Sequence, residues 1–154
     1  MPYLIDGHNL IPKLGLHLDA PDDELDLVTR LLEFCRARRI QVEVYFDGAP
    51  PGTAATRKSG AVTAHFIRRG SSADAAIEAR LTALGASARN WTVVSSDLRL
   101  QRAAQAVHAH SQLSEAFARE MAEARQTHLS TAKGDAGLSS ADVEEWLRLF
   151  KGGR

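Results

Sequence analysis

Four aspartates occupy comparable places along this chain. Asp6 follows the apolar run Tyr3-Leu4-Ile5, Asp47 follows Val44-Tyr45-Phe46, and Asp97 follows Trp91 to Val94 and the pair Ser95-Ser96. Asp74 stands just behind Ser71-Ser72-Ala73, at the head of a run with helical periodicity. Glu78 is four residues further, on the same helical face one turn deeper. Carboxylates brought together repel, and taking several out of water is expensive unless cations compensate them. Hard oxygen donors of this kind suit Mg²⁺ or Mn²⁺, which keep water ligands and accept phosphate oxygens. One such ion could polarise a phosphodiester and prepare a water nucleophile. Two, roughly 3.5–4 Å apart, could stabilise both attacking and leaving oxygens.

Each acid also has a plain structural reading. Asp6-Gly7 and Asp47-Gly48 are turn dipeptides. Asp74 suits a capping box opened by Ser71, and Asp97 suits a helix cap. Glu78 is equally a helix-face charge for Arg80 or Arg68. It is the set of four acids, more than any one of them, that points to a metal site.

The elements that would carry these residues alternate. Tyr3–Ile5 reads as a first strand. Residues 22–39 place Leu25, Val28, Leu32 and Cys35 at helical spacing, behind an acidic first turn and ahead of Arg36, Arg38 and Arg39, charges that complement a helix dipole. Val42–Phe46 is a second strand ending at Asp47-Gly48, residues 49–61 an irregular loop rich in Pro, Gly, Ala and Thr, and Val62–Ile67 a third strand. A helix from the Ser71–Asp74 start to Gly85 carries Ala76, Ile77, Leu81 and Leu84. Trp91–Val94 is a strand, Leu98–Val107 a helix, Ala109–Ser111 a short last strand, and Ser114 to about Arg125 a helix. A polar connector over 128–138 leads to a final helix with Val143, Trp146, Leu147 and Phe150 on one face.

Strands alternating with helices predict an α/β fold: a mostly parallel central sheet with helices on both faces. In such sheets the ligand crevice lies beyond the carboxyl ends of the strands, where strand order reverses. All four aspartates then share one edge.

The 154 residues suffice for one domain, and with 44% hydrophobic and 25% charged residues the chain is expected to be globular rather than disordered. No apolar run reaches the ~20 residues of a membrane span, and Asp6 interrupts the only stretch resembling a signal peptide. The single cysteine, Cys35, excludes an internal disulfide and a cysteine-rich zinc site, and a cytoplasmic location is expected. Formal net charge is zero, yet residues 48–114 hold the bases Arg57, Lys58, Arg68, Arg69, Arg80, Arg89, Arg99 and Arg102 against only Asp74, Glu78 and Asp97. A locally basic stretch can attract a polyanion whatever the total. The glycine frameworks of dinucleotide and P-loop sites are missing, so no nucleotide cofactor is expected, and no Gly-x-Ser-x-Gly elbow supports a serine hydrolase. His8 stands where an aspartyl-phosphate phosphatase would place a second acid, and reads as a turn or packing residue. His108 and His110 have no third ligand nearby for zinc.

The run Tyr3-Leu4-Ile5-Asp6-Gly7-His8-Asn9-Leu10 resembles the signature of the NYN domain family of PIN-like metal-dependent ribonucleases, especially its bacterial YacP-like branch. Val44-Tyr45-Phe46-Asp47-Gly48, Ser72-Ala73-Asp74-Ala75-Ala76-Ile77-Glu78 and Val93-Val94-Ser95-Ser96-Asp97 follow in the family's order. The resemblance, carried by motifs that run through most of residues 3–105, implies a PIN-like three-layer sandwich, assigned to residues 1–127; the apolar face of the final helix predicts that residues 128–154 form the connector and a C-terminal amphipathic helix packed on the same domain. It also implies RNA cleavage with Mg²⁺ or Mn²⁺ held by Asp6, Asp74 and Asp97, Asp47 joining or orienting that set, and Asn9 supporting Asp6 and the substrate. Where such families often carry a further acid one turn after the last aspartate, this chain has Gln101, so one tight metal with a weaker second site is expected.

Candidate phosphate-binding groups are Arg57 and Lys58 in the loop, Arg68 and Arg69 ahead of Asp74, and Arg99 and Arg102 after Asp97, with Ser96 and Gln101 as further substrate contacts. The function expected is a metal-dependent endoribonuclease acting on RNA, with the ribosome a candidate partner and no membrane involved. The alternatives are a non-catalytic RNA- or ribosome-binding module of the same fold, or a metal-dependent phosphatase or nuclease acting on another polyanion.

Overall fold

The computed structural model describes residues 2–16, 23–50 and 52–131. Strand β1 (Pro2–Asp6) runs into a single helical turn, α1 (Gly7–Leu10), and a 3₁₀ turn (Ile11–Leu14). Helix α2 (Asp23–Arg38), strand β2 (Gln41–Ala49), the hairpin β3 (Thr56–Ser59) and β4 (Val62–Arg68), and helix α3 (Ala73–Leu84) follow. A 3₁₀ segment (Gly85–Asn90), β5 (Thr92–Val94), α4 (Leu98–Ala106), β6 (His110–Gln112) and α5 (Ser114–Thr131) complete the described chain. Helix α5 continues past residue 127, where the connector was expected to begin. The expected final helix with Val143, Trp146, Leu147 and Phe150 lies outside the described residues.

The sheet order is β3-β4-β2-β1-β5-β6, and only the β3–β4 pair is antiparallel. Strands buried on both faces read as continuous apolar runs because neighbouring side chains enter opposite layers. Ile5, Val44, Phe46 and Val94 pack on one face with Leu27, Val28 and Leu31 of α2 and Phe117 and Met121 of α5. Their neighbours Leu4, Tyr45 and Val93 pack on the other face with Ile77 and Leu81 of α3 and Leu100 and Ala104 of α4. Burying each large apolar side chain contributes about 1.5–3 kcal/mol, so both helical layers are held by the same central strands. This is the three-layer α/β sandwich expected.

Two local features differ from the sequence reading. Asp47-Gly48 does not end β2; Gly48 takes a left-handed φ of +73° and the register slips between Phe46 and Ala49, so the strand bulges and continues. Residues 56–59 are a strand rather than loop: Thr-Arg-Lys-Ser carries no apolar alternation, and pairing with β4 orders it. That polar edge strand also caps the sheet with charge, a common protection against edge-to-edge association.

The chain leaves β1 toward β2 on one side, then crosses back from β4 to place β5 on β1's other side. Helix α2 after β1 and helix α4 after β5 lie on opposite faces. The crevice between diverging connections therefore opens at the ends of β1 and β5.

Candidate metal centre

Asp6 is the last residue of β1 and is 9% exposed. Gly7 lets it stand there for a steric reason, not through an unusual backbone angle. A Cβ on Gly7 would fall 2.4 Å from a Phe46 ring carbon and 2.9 Å from the Tyr45 carbonyl oxygen. The first turn of α1 thus presses directly on β2. Burial pushes the Asp6 carboxyl up to about 7, with the Asp74 and Asp47 carboxylates adding to the shift and the Asn9 backbone amide and His8 opposing it.

Asp74 lies in the first turn of α3, whose N-cap is Ser72: the Ser72 Oγ accepts the Ala75 amide at 3.1 Å. Asp97 is the N-cap of α4, its Oδ1 accepting the Arg99 amide at 2.9 Å. Two helix N-termini therefore point at one acidic pair, and their dipoles favour negative charge there. The Asp74 carboxyl is raised by burial and then by the neighbouring Asp97. Asp47 also repels both Asp6 and Asp74. Of the four aspartates singled out in the sequence, Asp74 thus interacts with Asp6, Asp47 and Asp97.

Asn9 ties the rim shut behind them. Its side-chain oxygen accepts the Ser96 amide at 2.9 Å and the Ser114 hydroxyl at 2.5 Å. The exit of β1, the exit of β5 and the start of α5 meet on that one atom. Ser96 is fully engaged as a donor, its hydroxyl giving to Glu115 Oε1 at 2.9 Å. The Gln101 side-chain amide donates to the Ser95 carbonyl at 3.3 Å.

His8 and Glu24 were not placed in the site by sequence. His8 Nδ1 donates to Asp47 Oδ1 and Nε2 to Glu24 Oε2, both at 2.8 Å. Carboxylates only accept, so both ring nitrogens carry protons. The Glu24 hydrogen bond, with help from Asp47, pushes the imidazole up to about 9. The acidic first turn of α2 reads in sequence as a dipole complement, and nothing in the spacing reveals that Glu24 reaches across to His8.

The basic residues divide. Register through β4 and β2 sets Arg57 level with Ile5 and Lys58 level with Leu4, below the rim and with two strands between them and β1. Arg57 is buried, its guanidinium 5.9 Å from the Phe66 ring centre. Arg80 makes a forked pair with Glu43, both contacts at 3.0 Å. Arg99 makes a similar fork with Glu78, neither Arg80 nor Arg68 being the partner of that acid. Arg68 ends β4 at the carboxylate edge with Arg69 just beyond it, and Arg102 lies on α4; all three are exposed and without an ion pair among the described residues.

Among the described residues, no three His, Cys, Asp or Glu side chains are grouped so that they could hold a metal ion as they stand. The donor chemistry nevertheless fits a hard divalent cation that keeps several of its waters. Asp6 is buried beside other acids with no lysine or arginine paired to it among the described residues, and Asp74 neighbours Asp97. Among the described residues no helix is long and apolar enough to cross a membrane.

Known structures share this architecture. Rae1 (YacP) from Bacillus subtilis is similar with a TM-score of 0.67 and 22% identity, covering 99% of this chain and 95% of that one. Its W164L mutant gives a TM-score of 0.70 and 24% identity over 97% and 91%. No curated protein matches the sequence. These likenesses show a PIN-like fold, and the model of the YacP-like NYN domain matches residues 3–147. This chain therefore belongs to the YacP-like NYN domain family, whose fold is of nuclease type.

Proposed function

We propose that the protein is a metal-dependent endoribonuclease whose site is the carboxylate rim at the ends of β1 and β5. The observation that carries this reading is Asp6: nine-tenths buried, facing Asp74 and Asp47, and paired with no lysine or arginine among the described residues. Such an arrangement is costly without a cation. Asp6, Asp74 and Asp97 would hold Mg²⁺ or Mn²⁺. When bound, the ion supplies Lewis acidity toward a phosphate oxygen and makes a nearby water more acidic.

The chain's own groups do the positioning. Asn9 holds the β1 and β5 exits at one separation, so Asp6 and Asp97 keep their relation. His8, gripped by Glu24, orients Asp47. Arg68, Arg69 and Arg102 offer charge to backbone phosphates, contacts that give affinity without reading sequence. RNA is the proposed substrate, with the ribosome as a candidate partner. The cytoplasm is the proposed location, where buried Cys35 remains a thiol.

Incubation of the protein with end-labelled RNA in Mn²⁺ tests the proposal. Internal cleavage, stopped by excess EDTA and restored by added Mn²⁺, is expected. Undiminished cleavage in EDTA contradicts it. A second reading, an RNA-binding module without chemistry, draws on Gln101, whose amide is turned onto the Ser95 carbonyl where a further acid would strengthen the site. Salt-sensitive RNA binding with no product in Mn²⁺ would favour that reading.

A further inference from the structure

Helices α3 and α4 both begin at the carboxylate rim, and each sends one more charged residue alongside it. Glu78 is one turn beyond Asp74, and Arg99 is two residues beyond Asp97. Arg99 is fixed at both ends. Its backbone N–H donates to Asp97 Oδ1 at 2.9 Å, while its side-chain Nε and Nη2 donate to Glu78 Oε2 and Oε1 at 3.0 and 2.6 Å. The guanidinium remains within Coulombic reach of both Asp74 and Asp97.

An arginine at this position is a ready counter-ion for the acidic pair. A guanidinium matches a carboxylate fork-to-fork, and once laid over Asp74 and Asp97 it would occupy the oxygens that a divalent cation needs. The side chain is instead turned onto Glu78, which takes two of its donors. The Arg99 side chain is 54% exposed and that of Glu78 34%. An ion pair this open adds little to stability, so the fold alone gives little reason for it.

We propose that Glu78 is a positioning residue: it parks Arg99 beside the Asp74–Asp97 pair and so keeps that pair open to a divalent cation. The inference rests on the reading of Asp74 and Asp97 as cation ligands. It assigns Glu78 no place among those ligands. It also makes Arg99 a charge that competes with the metal whenever Glu78 is lost.

A double-mutant cycle on Mn²⁺ affinity, read by calorimetry on the full chain, tests it. Glu78→Gln should weaken Mn²⁺ binding about tenfold, a coupling typical of contacting charges. Arg99→Gln should bind at least as tightly as the unaltered protein. The double variant should match Arg99→Gln within about twofold, because without Arg99 there is nothing for Glu78 to hold. Two outcomes overturn the inference. One is an unchanged affinity in Glu78→Gln. The other is a double variant weaker than Arg99→Gln by the factor that separates Glu78→Gln from the unaltered chain, which would make Glu78 a ligand or a remote charge. Absence of Mn²⁺ binding in the unaltered protein overturns the underlying reading of the site instead. Circular dichroism of each variant identifies any that fails to fold.

Discussion

Asn9 and Ser96 are 87 residues apart in sequence and 2.9 Å apart in space, the Asn9 side-chain oxygen accepting the Ser96 amide. Ser114 donates to the same oxygen. Replacement by alanine leaves two donors without their acceptor, and an unsatisfied buried group costs about 1–3 kcal/mol. Asn9→Ala should therefore lower the thermal midpoint and also lose cleavage, since Asp6 and Asp97 sit on the two segments it joins. Ser114→Ala removes one donor only and should lower the midpoint less. Equal midpoints for both variants would show that the junction does not depend on Asn9.

Gly7 gives a second, purely steric expectation. The alanine Cβ would collide with the Phe46 ring and, less yieldingly, with the Tyr45 carbonyl. Overpacking of this kind costs about 1–3 kcal/mol. Gly7→Ala should shift the urea midpoint down without changing the slope. A midpoint like that of the unaltered chain would mean that α1 can lift away from β2 freely.

The pH dependence of stability follows from two groups. Unfolded, Asp6 loses its proton near 3.8; folded, it keeps it to about 7. The unfolded state thus binds fewer protons across that interval, and stability falls as pH rises through it. His8 has its folded value raised from 6.5 to about 9. Its contribution is whole below 6.5 and is lost as pH rises toward 9. Metal-free Asp6→Asn should flatten the decline between about pH 4 and 7 and be more stable than the unaltered chain at the upper end. His8→Ala should flatten the decline between about pH 6.5 and 9. Thermal melts across pH 4–9 check both, and slopes unaffected by either substitution would contradict these assignments.

Protons and cations should compete at Asp6. Because the carboxyl holds its proton up to about 7, Mn²⁺ affinity should fall as pH drops through that value, with proton release on binding. Calorimetry in two buffers of different ionisation enthalpy measures the release. Binding without proton release at pH 6 would exclude Asp6 as a ligand.

What sequence reveals and hides here follows from where each signal resides. The β1 and β5 exits are legible because buried parallel strands are short apolar runs and an aspartate after one is conspicuous. Helix α2 is legible through the period of Leu25, Val28, Leu32 and Cys35. Strand β3 is hidden because Thr56–Ser59 is ordered by its partner and not by its own composition. The role of Gly48 is hidden because a left-handed glycine serves a bulge as readily as a turn. The contacts of His8 with Glu24 and Asp47, and of Arg99 with Glu78, join residues on different elements, 16, 39 and 21 positions apart. No local pattern encodes them. The four aspartates stand out in the sequence as a set; the contacts around them do not.

Anomalous diffraction from crystals of the protein grown with Mn²⁺ addresses the central claim most directly. A single strong peak is expected within bonding reach of carboxylate oxygens of Asp6, Asp74 and Asp97, and it should vanish in Asp74→Asn. A peak elsewhere on the chain, or none at millimolar Mn²⁺ while RNA cleavage persists, would contradict the account.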